Sequence, residues 1–115
     1  MKHAFYAWAA LTLTAGAAVA VEATIVSYQD GDLNFALTGA GAVTVTAQID
    51  FKYISAKTGV ESLARATSGA MEITLTGEET PGTIQFVPPD GSLVEVEAVI
   101  FVDGEEAARE VFYYD

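Results

Sequence analysis

The chain has 115 residues, of which 51% are hydrophobic and 18% are charged, so it is long enough and apolar enough to fold as one domain. It contains no cysteine, which excludes disulfides and thiolate chemistry, and its single histidine, His3, excludes sites built on several histidines. Sixteen acidic and five basic residues give a net charge of −11, which argues against a nucleic-acid partner because phosphate binding needs a basic surface.

The first residues of the chain allow two interpretations. A basic start, an apolar run and the small residues Ala18-Val19-Ala20 fit a secretory signal peptide that is cleaved after Ala20. The alternative is an apolar N-terminal strand or arm over residues 1–20, because residues 13–25 and 37–49 are identical at seven of thirteen positions. We favour the folded strand or arm. We predict no membrane span, since the segment is short and rich in alanine.

Apolar side chains alternate strictly in the repeated segment. Its core, V-x-V-x-A-x-I, occurs at 19–25 and 43–49 and a third time at 94–100. A period of two is typical of a strand with one buried face. The residues that we therefore expect to face the core are Val19, Val21, Ala23 and Ile25, then Val43, Val45, Ala47 and Ile49, and finally Val94, Val96, Ala98 and Ile100.

Strands and turn signals follow one another along the chain. Turns are predicted at Asp30-Gly31, Asp90-Gly91 and Asp103-Gly104, and a loop is predicted at 77–82. Residues 55–69 show no sustained period, and we expect a helical turn at 61–66 within them. In chain order, the predicted strands are 4–14, 19–28, 33–38, 42–53, 70–76, 83–87, 93–102 and 107–114.

About eight short strands without a periodic helix predict an all-β fold, an antiparallel β-sandwich that forms a single domain over residues 1–115. The last two strands and their Asp103-Gly104 turn resemble the closing hairpin of immunoglobulin-like or fibronectin type III domains. This resemblance implies an immunoglobulin-like general plan. The chain lacks the Cys…Trp…Cys spacing of true immunoglobulin domains, and Trp8 does not occupy the place of their core tryptophan.

Acidic turns raise the question of calcium. Asp30, Asp32 and Asn34 are spaced like the first ligands of an EF-hand loop, but Phe35 stands where glycine is required and Gly41 where glutamate is required. The EF-hand interpretation therefore fails. We expect plain Asp-Gly turns, with a looser calcium site at these turns or at Asp90 or Asp103 as the alternative.

No residue pattern predicts catalysis, a cofactor or a metal centre. Glu78-Glu79 and Glu105-Glu106 lie in predicted exposed loops, where carboxylates are solvated and nothing in the sequence suggests the burial that acid–base catalysis needs. A serine or threonine nucleophile needs a nearby base, and His3 is the only histidine. We predict a protein that is not an enzyme.

Aromatic residues crowd both ends of the chain. One interpretation is that the two termini pair in one sheet and pack together. The other is that they reach a neighbouring subunit, where aromatic anchors and exposed strands mediate binding. The subunit-interface candidates are Phe5, Tyr6, Trp8, Phe112, Tyr113 and Tyr114.

These features favour a non-enzymatic structural protein that binds copies of itself and other structural proteins. In size, strand content and lack of cysteine, the chain resembles capsid decoration, cement and tail proteins, which implies a location in a virus or phage particle. The alternative is an exported cell-surface or periplasmic β-sandwich, cut after Ala20: a fibre subunit, an adhesin, or a module that binds calcium or carbohydrate.

The intact mass of the protein from its native source distinguishes the uncleaved particle component from the exported, cleaved domain. We expect a mass that starts at Met1 or Lys2, because residues 13–25 repeat a strand pattern. A mass that starts at Val21 would contradict the particle-arm interpretation and identify an exported domain.

Overall fold

The computed structural model describes residues 2–7, by their backbone alone, and residues 21–114. These residues form β-strands and turns and contain no helix. The strands are β1 (Lys2–Ala7), β2 (Glu22–Gln29), β3 (Asp32–Thr38), β4 (Ala40–Ser55), β5 (Glu61–Thr67), β6 (Met71–Thr76), β7 (Thr80–Gln85), β8 (Gly91–Val102) and β9 (Glu105–Tyr113).

The strands form two antiparallel sheets that pack as a sandwich, as predicted. The larger sheet has the order β1-β9-β8-β4-β5, with β6 also paired to β4. The smaller sheet has the order β2-β3-β7. Both termini of the described chain therefore meet in the larger sheet, since β1 pairs with β9. The immunoglobulin-like plan stays a prediction.

Two tight hairpins form at predicted Asp-Gly turns. Asp30 and Gly31 join β2 to β3 with φ angles of 54° and 85°, and Asp103 and Gly104 join β8 to β9 with 51° and 85°. Two consecutive residues with positive φ define the turn whose twist matches that of paired strands, and Asp-Gly is a preferred sequence for it. These turns fix the register of both hairpins.

The predicted core alternation is confirmed at ten positions, because the described members of the three repeats, apart from Val94, are buried. The exception has a local cause. A register shift between Lys52 and Tyr53 leaves Val94 without a partner on β4, and Leu93 pairs with Tyr53 and packs against the core in its place. Val19 and residues 8–14 of the predicted first strand lie outside the described residues.

The helical turn expected at 61–66 is wrong, because these residues form β5. This strand pairs with β4 from Glu61 opposite Ile54 to Thr67 opposite Gln48. The local sequence favours a helix, but hydrogen bonding to the long strand β4 overrides that preference.

β5 and β6 lie end to end along the same side of β4. Between them, the backbone N–H of Ser68 donates to the Ala47 carbonyl at 2.9 Å, and the Ala47 N–H donates to the Ser68 hydroxyl oxygen at 2.9 Å. The side chain of Ser68 thus completes the hydrogen bonding of β4 at the point where the edge strand breaks.

β7 begins at Thr80, three residues before its predicted start, so part of the predicted 77–82 loop is strand. Proline is tolerated here because β7 is an edge strand and Pro81 needs no partner for a missing N–H. Gly82 pairs with Phe35, and a Cβ atom at Gly82 would lie 2.5 Å from the Phe35 ring. The glycine therefore lets this buried ring lie across β7.

A buried tyrosine predicts loss of stability at alkaline pH. The Tyr28 hydroxyl donates to the Phe86 carbonyl at 2.5 Å, and burial, with Tyr114 and Asp32 nearby, raises the pKa of Tyr28 to about 12. A folded pKa above the unfolded value of about 10 gives stability that is present below pH 10 and is lost as pH rises from 10 to 12, by at most about 2 kcal/mol. Chemical unfolding over this pH range measures it.

The Tyr28→Phe variant should lose about 1 kcal/mol at neutral pH through the missing hydrogen bond. It should also lose most of the alkaline decline, leaving the share due to Tyr114, whose pKa burial also raises. Tyr113→Phe, at an exposed tyrosine, is the control. An unchanged alkaline decline in Tyr28→Phe would contradict the assignment.

Candidate interaction surface

The sheet edges differ in how well they resist pairing with another chain. β7 contains Pro81, which cannot donate a hydrogen bond at that position. β2 carries a register shift between Ile25 and Ser27, at the outward and exposed Val26, and such a bulge disrupts edge pairing. β5 and β6 have neither device and pair with β4 without a register shift, but only β5 carries charges of both signs, because Glu72 is the one charged residue of β6. Among the described strands, none pairs with the outer edge of β5.

Charges of both signs lie beside β5, on the face of the larger sheet that points away from the core. Arg65 forms a fork with Asp50, with Nε 2.7 Å from Oδ1 and Nη2 3.3 Å from Oδ2. Lys52 lies between two acids, with its Nζ 3.9 Å from Glu61 Oε2 and 3.8 Å from Glu95 Oε1. Each exposed pair contributes at most about 1 kcal/mol, so their main effect is to balance charge locally.

A third basic residue completes this face on β9. The Arg109 guanidinium donates to Glu97, and it binds Glu106 through Nη2 at 2.7 Å and Nε at 3.0 Å. These hydrogen bonds raise the pKa of Arg109 and lower that of Glu106. Val99 lies opposite Arg109 and is only 2% exposed although it points outward, which fits coverage by long side chains with apolar stems.

Three of the five basic residues therefore lie on one face of a chain with a net charge of −11. Two copies of so acidic a protein repel each other over most of their surfaces. The repulsion is weakest where acids are already paired with bases. The outer face around β5 is such a region.

Exposed apolar surface coincides with this balanced region. Leu63, the third residue of β5, is 76% exposed and lies opposite Lys52 in the sheet. An open groove of about 420 Å³ runs beside it between β5 and β8, with Glu95 and Glu97 on its far side. We define the outer β5 surface as Glu61, Leu63 and Arg65 with their neighbours Asp50 and Lys52.

The six aromatic candidates differ in where they lie. Phe112 and Tyr114 pack against the core, whereas Tyr113 is 49% exposed. Phe5 and Tyr6 belong to β1, whose backbone pairs with β9 at Glu110 and Arg109. Trp8 lies outside the described residues. The interface role of these six residues stays a prediction.

The acidic candidates stay apart. Within the described residues, no three His, Cys, Asp or Glu side chains lie close enough together to hold a metal ion. Asp103 has a local role instead, because its Oδ1 accepts the Thr44 N–H at 2.9 Å. His3 lies in β1, of which only the backbone is described. A looser calcium site at the turns stays the alternative prediction.

The outer β5 surface was not predicted from the sequence, because residues 55–69 show no sustained period. The signal was present: Glu61, Leu63 and Arg65 alternate with the small residues Ser62 and Ala64. Because the inward residues are small, the two faces of the strand differ little in hydrophobicity, and the alternation is a weak signal for a strand.

The chain matches no family model, no curated protein and no solved structure. No helix that could cross a membrane occurs at 2–7 or 21–114. The fold and the surface are therefore the basis for proposing a function.

The Arg109 contacts predict a stability effect that depends on pH. Arg109→Met should lower the free energy of unfolding by about 1 kcal/mol at neutral pH, since it removes a paired guanidinium. Because Arg109 lowers the pKa of Glu106, this contribution is present above the ordinary value of 4.5 and is lost as pH falls through the lowered value. Chemical unfolding at several pH values measures it, with Lys57→Met in an exposed turn as the control. Equal losses in both variants would contradict the prediction.

Proposed function

We propose that the protein is a non-enzymatic structural component that assembles with copies of itself and with other structural proteins, in a virus or phage particle. The observation that carries this proposal is the uninterrupted edge strand β5 beside a charge-balanced face with an exposed leucine. Open strand edges and exposed apolar side chains are the features by which β-proteins bind other chains.

The arrangement of the strands supports an immunoglobulin-like plan for this component. The β8–β9 hairpin and β4 form one sheet against the three-stranded sheet of β2, β3 and β7. In immunoglobulin-type sandwiches, a closing hairpin likewise pairs with a central strand of one sheet. Such domains bind partners at strand edges as well as at loops, and neither use needs a catalytic centre.

An exported β-sandwich is the second candidate, and the position of β2 favours it. β2 begins at Glu22, so cleavage after Ala20 would leave the smaller sheet and both tight hairpins complete. Cleavage would also remove β1 and leave β9 as the edge strand of the larger sheet. In the particle proposal the chain is not cleaved, so β1 remains paired with β9.

The proposal is tested by association of the full chain. We expect the measured mass in light scattering and sedimentation to rise with protein concentration, and association to strengthen with moderate salt, which screens repulsion between acidic molecules. We also expect the protein in particles purified from its native source.

A matched pair of variants locates the association. Leu63→Glu should abolish it, whereas Val87→Glu should not, although Val87 is as exposed as Leu63 (77% against 76%) and both changes add one negative charge. A protein that stays monomeric under all these conditions and is absent from purified particles would overturn the proposal.

A further inference from the structure

β5 is self-complementary in sequence. Its outward side chains are, in order, Glu61, Leu63, Arg65 and Thr67. Reversing the strand about Leu63 exchanges Glu61 for Arg65 and sets Thr67 opposite Gly59. An antiparallel partner with the same sequence would present Arg65 to Glu61, Leu63 to Leu63, and Glu61 to Arg65. Opposite charges and apolar pairs directly across two strands stabilise pairing.

We propose that two copies of the chain pair edge to edge through β5, antiparallel and about a two-fold axis at Leu63. This inference rests on the proposed assembly function and names its partner, a second copy of the chain. The two larger sheets become one continuous sheet, and the interface is isologous, the commonest type in symmetric dimers.

The charges already held by β4 extend this complementarity. Arg65 is bound to Asp50, and Glu61 lies beside Lys52. Pairing about Leu63 sets Asp50, Arg65 and Glu61 of the second copy in one row, with Lys52 of the second copy diagonal to its own Glu61, so that the signs alternate. The two-fold axis generates the same row twice, so the joint brings no like charges together along β5.

The pleat restricts the register. A shift by one residue would set outward side chains opposite inward ones, so only shifts by two keep the two faces continuous. Pairing about Ala64 would set Leu63 opposite Arg65 and leave Glu61 opposite Thr67. Pairing about Leu63 is the register that satisfies both charges of β5.

The ends and the inner side of β5 fit this pairing. Gly59, with a φ of 71°, ends the strand on one side, and the break at Ser68 ends it on the other. Ser62 and Ala64 are small, and Ala64 packs against the core, so no bulky side chain blocks approach on the inner side.

Charge reversal tests the pairing. Glu61→Arg alone sets two arginines opposite each other across the joint, and Arg65→Glu alone sets two glutamates opposite each other. Each variant should dimerise at least about tenfold more weakly than the wild type in sedimentation equilibrium. For Glu61→Arg, this loss would occur although the net charge falls in magnitude from −11 to −9, which reduces general repulsion.

Mixing the two variants supplies the decisive measurement. One copy of each restores both opposite-charge pairs, so an equimolar mixture should form a heterodimer within about threefold of the wild-type affinity. Rescue by mixing also shows that both variants are folded. Glu72→Arg, on the neighbouring edge strand β6, and Lys57→Glu, in an exposed turn, are the charge-matched controls and should dimerise like the wild type.

The outcomes separate the pairing from the proposed function. Single variants that dimerise like the wild type, or a mixture that gains nothing, would overturn pairing about Leu63 and leave an assembly protein that uses another surface. A wild-type chain that stays monomeric overturns the dimer. If the monomeric chain is also absent from native particles, the proposed function is overturned as well.

Discussion

The central strand β4 is the element on which the rest of the structure depends. It pairs with β8 on one side and with β5 and β6 on the other. Its inward residues from Val43 to Phe51 are buried, while its outward Asp50 and Lys52 bind charges on neighbouring strands. Because the two sets alternate, a slip of one residue would bury the charges and expose the core. One register thus fixes both the packing and the outer charged face.

The sequence predicts a strand wherever one of its faces is strongly apolar. The Val-Ala-Ile repeats of β2, β4 and β8 have this contrast, and the Asp-Gly pairs add turns that few other sequences form. In β5, the inward residues Ser62, Ala64 and Ala66 are too small to produce it, and the same residues are compatible with a helix. Pairing with β4 determines that these residues form a strand, and the local sequence of β5 gives no information about that pairing.

The candidate surface was harder to predict than the fold, because being an edge strand is a property of the whole sheet. The aromatic residues at the C-terminus illustrate this limit. Alternation along β9 places Phe112 on the same side as the buried Ala108, and both Phe112 and Tyr114, which follows the strand, pack against the protein's own core. Hydrophobic character alone does not reveal whether a side chain packs within its own chain or against another.

The distribution of charge links the core to assembly. A net charge of −11 opposes every contact between copies, and at physiological salt screening removes this repulsion only beyond about 8 Å. A direct contact therefore needs a region where positive charge is supplied locally. Lys52, Arg65 and Arg109 supply it on the outer face of the larger sheet, beside β5, an uninterrupted edge strand that carries charges of both signs. Elsewhere, exposed acids, Pro81 and the bulge at Val26 discourage association, so the same composition that keeps the molecule soluble also directs where it can bind a copy of itself.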